Sequence, residues 1–260
     1  MQGNKKTSYL QYIKSALVNA GKIIENTKSE GYKVIRKHIK EMVTEIDMAV
    51  QTYLIDYLSA ETGCTSFISE EIRIPAYDHN EFWVIDPLDG THNFIAGLPF
   101  YGISIAYVEN SSIEYAGIYF PQSQLLYHAQ RGKGAYKNDT KIQVSVNDDI
   151  EKSIIAYDNQ FYLDKQSITN FIKIQEKVFT TRILGVAARD ACFVAEGVLD
   201  ARIWNNTKLC DVAAASLIVK EAGGSITDFD GNQLDLHAIR DVVCSNGKFH
   251  DEILSVLKRG

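Results

Sequence analysis

The feature that most restricts the fold is a change of rhythm around residue 150. From Phe82 to Val146 the chain is a succession of short β-rich runs, EFWVID, YGISIAYVE, SIEYAGIYF, QLLYHAQ, GAYKN and KIQVS, with Asn110-Ser111 and Asn138-Asp139 as turn pairs. Strands so close in sequence predict an antiparallel meander. After residue 152 extended and helical runs alternate: SIIAYD, LDKQSITNFIKIQEKV, TTRIL, AARDACFVAEGV, DARIWN, DVAAASLIVKEAGG, SITDFDG, DVVCSN and HDEILSVLKR. Strands interleaved with helices predict sheets layered between helices, an α/β (α+β) chain. Two helices precede the meander. Leu10, Ile13, Leu17, Ala20 and Ile24 recur at spacings of three and four within residues 8–28, as on the buried face of a helix. A second helix begins near Thr44, carries Met48, Val50, Leu54, Ile55 and Leu58, and stops at Gly63. Between them lies GYKVIRKHIKE, whose Lys33, Arg36, Lys37 and Lys40 read as a solvated basic loop or as a ligand contact. With no repeat, low-complexity tract or linker, one domain over 1–260 is expected, with halves meeting at about 150/151.

Composition narrows the partners. With 260 residues, 45% hydrophobic and 23% charged, the chain can bury a sizeable core. A net charge of −6 speaks against nucleic acid and anionic membrane, which are held by clustered Lys and Arg, and leaves a small soluble molecule. The cysteines, at 64, 192, 210 and 244, lack CxxC spacing and lie in apolar stretches, so buried thiols and a reducing compartment are expected. The start lacks a signal peptide's apolar core, and no run approaches the roughly 18 apolar residues of a membrane span, so a cytoplasmic location follows. The histidines, at 38, 79, 92, 128, 237 and 250, include no pair at ligand spacing, so any metal is expected on oxygen.

The acidic residues then carry the argument. In WVIDPLDGTHNF, Asp86 ends an apolar run, Pro87 and Gly90 favour a turn, and Asp89 stands three residues on. Two readings stay open: Asp89 caps a short helix beginning near Gly90, or both aspartates aim at one point. The Gly90 and Thr91 amides would form a helix N-terminus that attracts an anion such as phosphate. Glu70 and Glu71 follow the run SFIS, Asp211 precedes the helical DVAAASLIVKEAGG, and Asp47 sits early in the second helix; exposure and capping are their ordinary explanations. Were these acids to meet, two charges about 4 Å apart would repel by roughly 4 kcal/mol at an effective dielectric near 20, a conflict that hard divalent ions resolve. An EF-hand loop counted from Asp86 fails, because Leu88, Gly90 and Gly97 fall where oxygen donors are needed. Aspartyl-phosphate chemistry of the D-x-D-G-T type is disfavoured by the two residues between the acids.

These residues resemble the inositol monophosphatase family of magnesium-dependent, lithium-sensitive phosphatases, over nearly the whole chain. The matching motifs are Glu70-Glu71, Asp86-Pro87-Leu88-Asp89-Gly90-Thr91 continuing to Asn93-Phe94, Asp211 with Val212-Ala213-Ala214, Glu221-Ala222-Gly223-Gly224, Asp47 within VTEID, and RGKGAY at 131–136. The resemblance implies a five-layered α-β-α-β-α sandwich of the inositol monophosphatase/fructose-1,6-bisphosphatase type, usually a homodimer. It implies two to three magnesium ions: Glu70, Asp86 and the Leu88 carbonyl around the first, Asp86, Asp89 and Asp211 around the second, and Glu70 on a weaker third. Asp47, Thr91 and Glu70 would orient the attacking water, phosphate would rest on Gly90 and Thr91, and the segment around Arg36 and Lys37 would close over it. Asp89, Asp211 and the stretch Gly185-Val186-Ala187 would face the substrate.

The alcohol-reading positions depart from the inositol-specific pattern. Val186 stands where Ser or Thr is common, Trp204 and Asn205 lie where an acid grips ring hydroxyls, and Cys210 replaces a frequent Trp. Inositol monophosphate heads the expected substrates, with fructose 1,6-bisphosphate, the 2'-phosphate of NADP and 3'-phosphoadenosine nucleotides as alternatives. A member that binds a phosphorylated ligand or a partner protein without turnover is the non-enzymatic alternative.

Overall fold

The structure, a computed structural model, describes residues 3–38, 41–70 and 80–257. Helix α1, Gly3–Glu30, buries Ile13, Leu17, Ala20 and Ile24 of the expected stripe, with Ala16 beside them, while Leu10 is half-buried. The basic segment is not a loop. Strands β1, Val34–His38, and β2, Glu41–Thr44, form an antiparallel hairpin in which Val34 faces Thr44 and Ile35 faces Val43. The lysines and arginine hid its strand character; the side chains of Lys37 and Lys40 lie outside the described residues. Helix α2, Glu45–Thr62, is capped by the Thr44 hydroxyl and ends at Gly63, which takes the left-handed turn (φ 76°) that favours glycine.

Strands β3, Phe67–Ser69, and β4, Glu81–Asp89, run parallel, and the short helix α3, Thr91–Ile95, follows β4. The meander continues through β5, Gly102–Glu109, β6, Ser112–Phe120, β7, Leu125–Gln130, β8, Gly134–Lys137, and β9, Thr140–Lys141. These strands make a seven-stranded sheet in sequential order β3 to β9. The expected final run KIQVS pairs only at its start, because Thr140 and Lys141 alone join the ladder. The motif RGKGAY is structural here: Glu221 accepts the Gly132 and Gly134 amides, each at 2.7 Å, which ties the β7–β8 turn to a distant helix.

The second sheet is built by alternation. The elements are β10, Ile154–Tyr157, α4, Lys165–Gln175, β11, Thr180–Arg182, α5, Ala187–Ala195, β12, Ala201–Trp204, α6, Leu209–Glu221, β13, Ser225–Asp228, β14, Val242–Ser245, and α7, His250–Leu257. Its order is β11-β10-β12-β14-β13, with β10 parallel to both β11 and β12 and the other pairs antiparallel.

Strand alternation sorts side chains into three cores. On β4, Trp83 and Ile85 pack with α1 and α2, while Phe82 and Val84 face α5 and α6. On β12 and β14, Trp204, Val242 and Cys244 face the same two helices, whereas Ala201, Ile203 and Val243 pack with α4 and α7. The result is five layers, α-β-α-β-α. Helix α6 lies in the middle, and Cys210 and Val212 through Val219 are all buried, which explains its nearly uninterrupted apolar sequence. All four cysteines are buried free thiols. Among the described residues no helix is long and apolar enough to cross a membrane.

Candidate active site

The two aspartates meet because the strand between them is irregular. In a regular strand residues three apart point to opposite faces. Here Asp86 pairs with Ser104 and Asp89 with Gly102, so three steps on β4 oppose two on β5. The extra residue is a bulge, and it returns Asp89 to the face of Asp86. Pro87, which has no N–H to give the ladder, sits inside it. The expected turn after Asp86 is thus a bulged continuation of β4, ending at Asp89. The Leu88 N–H donates to Asp86 Oδ1 at 3.0 Å, which fixes that carboxylate.

Asp89 caps a helix, but not the one that its sequence suggested. Residue Gly90 (φ 88°) starts α3 without a side-chain cap, and Asp89 instead accepts the amides of Ala187 (3.2 Å) and Ala188 (2.6 Å) at the start of α5. Helix α5 needs that outside cap because its own N-cap residue, Val186, has no polar side chain. Val186 is fully buried against Gly90: a Cβ at Gly90 would come within 2.8 Å of Val186 Cγ2 and of Phe100 O.

Asp47 occupies the third position of α2 and reaches back to Thr44, accepting its N–H (2.7 Å) and its hydroxyl (2.5 Å). Its other oxygen lies 3.2 Å from the Thr91 hydroxyl, which is also 2.9 Å from Leu88 O and holds one proton for the two acceptors. Asp211 repeats the arrangement on α6, accepting the Lys208 N–H (3.0 Å) and the Thr207 hydroxyl (2.8 Å). Glu70, just past β3, accepts from Lys208 Nζ at 3.0 Å. Asp47 and Asp211 lie in the first turns of helices, where the backbone dipole favours anions, and Glu70, Asp86 and Asp89 lie at or just past the C-terminal ends of the parallel pair β3 and β4.

Glu70, Asp86, Leu88, Asp89, Gly90, Thr91, Asp211, Gly185 and Ala187 all line one cleft of about 740 Å³; Asp47 stands behind Thr91, and Val186 is not on its wall. The carboxylates raise one another's proton affinity. Burial, then Glu70, Asp89 and Asp211, hold Asp86 well above the usual carboxylate range. Burial and Asp211 push Asp89 up to about 8, although the Ala188 amide opposes it, and burial and Glu70 push Asp211 up to about 6. Asp47 is raised by burial, against the hydrogen bonds from Thr44 and Thr91. Among the described residues no three His, Cys, Asp or Glu side chains stand ready-made as an ion cage. The donor set nevertheless fits hard divalent cations: it consists of carboxylate and carbonyl oxygen, partly desolvated, with excess negative charge. Glu71 lies outside the described residues.

Sequence reasoning missed part of the opposite wall. Tyr157, Asp158, Asn159, Tyr162 and Arg202 line it, beside Asn93 of the recognised motif, whose side chain donates to Leu184 O at 2.8 Å. Asp158 ends the run SIIAYD as Asp86 ends WVID, so an acid at a strand's C-terminal end was the available signal. It holds the Asn159 and Asn205 amides at 2.7 and 3.3 Å. Arg189 is not in the cleft; its guanidinium stacks on Phe120 and Phe193.

A five-layered α/β chain whose cleft gathers carboxylates from two strand ends and the first turn of a helix defines a class, layered α/β proteins with an oxygen-donor cleft suited to hard cations. The chain belongs to the inositol monophosphatase family, whose model matches residues 6–259. It is 34% identical over 242 residues to the fructose-1,6-bisphosphatase/inositol-1-monophosphatase of Thermotoga maritima, covering 93% of this chain and 89% of that protein. Among solved structures it resembles the extragenic suppressor protein suhB of Bartonella henselae (28% identity, TM-score 0.90, 97% and 99% of the two chains). It also resembles an IMPase/NADP phosphatase complexed with NADP and Ca2+ (25% identity, TM-score 0.86, 96% and 95%). The chain is therefore a phosphoric monoester hydrolase of this family.

Proposed function

We propose that this enzyme hydrolyses a small phosphorylated polyol, inositol monophosphate before others, with two to three magnesium ions. The observation that carries the reading is the convergence of Glu70, Asp86, Asp89, Asp211 and Thr91 on one cleft. Glu70, Asp86, the Leu88 carbonyl, Asp89 and Asp211 would hold the ions. Magnesium supplies Lewis acidity there, lowering the pKa of water and offsetting phosphoryl charge.

The chain's own groups do the rest. The Thr91 hydroxyl donates its hydrogen bond to Asp47 or to Leu88 O, which leaves its oxygen as an acceptor for the attacking water. As the water oxygen bonds to phosphorus, its proton passes to Thr91 and the Thr91 proton to Asp47 Oδ1, 3.2 Å away, while the phosphorus–ester oxygen bond breaks and the departing alkoxide takes a proton from solvent. The Gly90 and Thr91 amides, at the start of α3, bind phosphate oxygens. Asp89, held by two α5 amides, keeps Gly185 and Ala187 at the substrate's edge. The homodimer, lithium sensitivity and cytoplasmic location carried by the family resemblance and the sequence belong to the same reading.

A second reading, with fructose 1,6-bisphosphate, NADP or 3'-phosphoadenosine 5'-phosphate as substrate, draws on Tyr162, an exposed aromatic ring on the cleft wall, and on Trp204 and Asn205 near the place where a carboxylate would grip ring hydroxyls. Phosphate release from all four substrates under identical conditions decides between them by kcat/KM. Turnover undiminished by EDTA would refute the metal-dependent mechanism for every substrate.

A further inference from the structure

We infer that Lys208 sets the divalent-ion affinity of the cleft by competing for Glu70; the inference rests on Glu70 being an ion ligand, as proposed above. Lys208 is the N-cap of α6, with an extended backbone (φ −103°, ψ 159°). Its two ends do different things. The N–H donates to Asp211 Oδ2 and the ammonium to Glu70 Oε1, each at 3.0 Å. Glu70 leaves β3 and Lys208 enters α6, 138 positions apart in sequence, so the ion pair joins two walls of the cleft.

A carboxylate oxygen paired with an ammonium has its charge and a lone pair committed. A divalent ion held by Glu70 would draw on the same carboxylate charge and would repel the ammonium that is already there. Ion uptake at Glu70 therefore moves Lys208 Nζ aside. The movement is feasible, because the Lys208 side chain is 50% exposed and its flexible stem can swing into solvent. By linkage, whatever free energy the pair contributes to the folded chain is subtracted from the affinity of the ion. The backbone contact to Asp211 is untouched by side-chain substitution, so the two ends of Lys208 can be tested separately.

The experiment is calorimetric titration of the whole chain with Mg2+ and with Mn2+, for wild type, Lys208→Met, Lys208→Arg and Glu70→Gln. Lys208→Met is expected to lower Kd by roughly three- to fivefold, the scale of a partly exposed ion pair, while Lys208→Arg keeps the wild-type value. Glu70→Gln is expected to raise Kd. An unchanged or raised Kd in Lys208→Met, with a wild-type melting curve and a weakened Glu70→Gln, overturns the competition alone. A Glu70→Gln variant that binds as wild type overturns the metal assignment of Glu70 and the competition with it.

Discussion

Single carboxylates in this cleft serve structure in the fold and chemistry in the proposed mechanism, and the two roles separate by how many oxygens each uses. Asp211 takes both of its hydrogen bonds, from Thr207 and Lys208, on Oδ2. An asparagine carbonyl can accept both, so Asp211→Asn should melt within about 1 kcal/mol of wild type while phosphate release falls to background. A variant with near-normal turnover would refute the ligand role. Asp89 uses one oxygen for each α5 amide, and asparagine would set an N–H against one of them. Asp89→Asn should therefore lose activity and also roughly 1–3 kcal/mol of stability, a fall of several degrees in Tm that calorimetry resolves. Equal Tm values for the two variants would contradict the outside cap. Asp47, Asp86, Asp89 and Asp211 were each readable as site candidates from sequence. That Asp89 caps α5, ninety-nine positions from Ala188, was not, because no local pattern links the two.

At the scale of elements, sequence period was a sound guide wherever one face is buried. The α1 stripe, the Thr44 and Gly63 caps of α2 and the strands of the meander follow from side-chain spacing and turn chemistry. It failed at two places. The β1–β2 hairpin is masked by its cations, and the bulge in β4 reads locally as a strand end because Pro87 and Gly90 resemble turn residues. Close packing of α1 on β6 gives a test remote from the cleft. A Cβ on Gly117 would lie 2.5 Å from Ile13 Cγ2 and 2.7 Å from Leu17 Cδ1. Gly117→Ala should destabilise the chain by about 1–3 kcal/mol in urea unfolding, with kcat and KM unchanged. A loss of kcat at full stability would mean that α1 positions the site.

For the whole molecule, two buried histidines make stability depend on pH. His250 joins the two strands β13 and β14, lying 2.9 Å from the Thr227 hydroxyl and 2.8 Å from that of Ser245, while His128 stacks on Tyr136 and contacts Asn138 O. Burial holds both below the ordinary value of 6.5, assisted at His128 by Lys14. At these two sites the unfolded chain binds more protons than the folded one between the lowered value and 6.5, so their contribution to stability is full above pH 6.5 and declines as pH falls through that window, opposite in sign to that of the raised cleft carboxylates. The difference in denaturation midpoint between wild type and His250→Gln, which isolates this site, should shift against wild type as pH falls across the window; a difference that does not change with pH would exclude His250 as a source. The sequence by itself determined the helices, the meander, the layered α/β class and the acids that line the cleft, because periodicity and residue chemistry are local properties. Only the tertiary structure decided that Asp86 and Asp89 share a face, that Asp89 caps α5 and that Lys208 reaches Glu70. Each of these depends on a register or a packing contact between segments that the chain brings together only when it is folded.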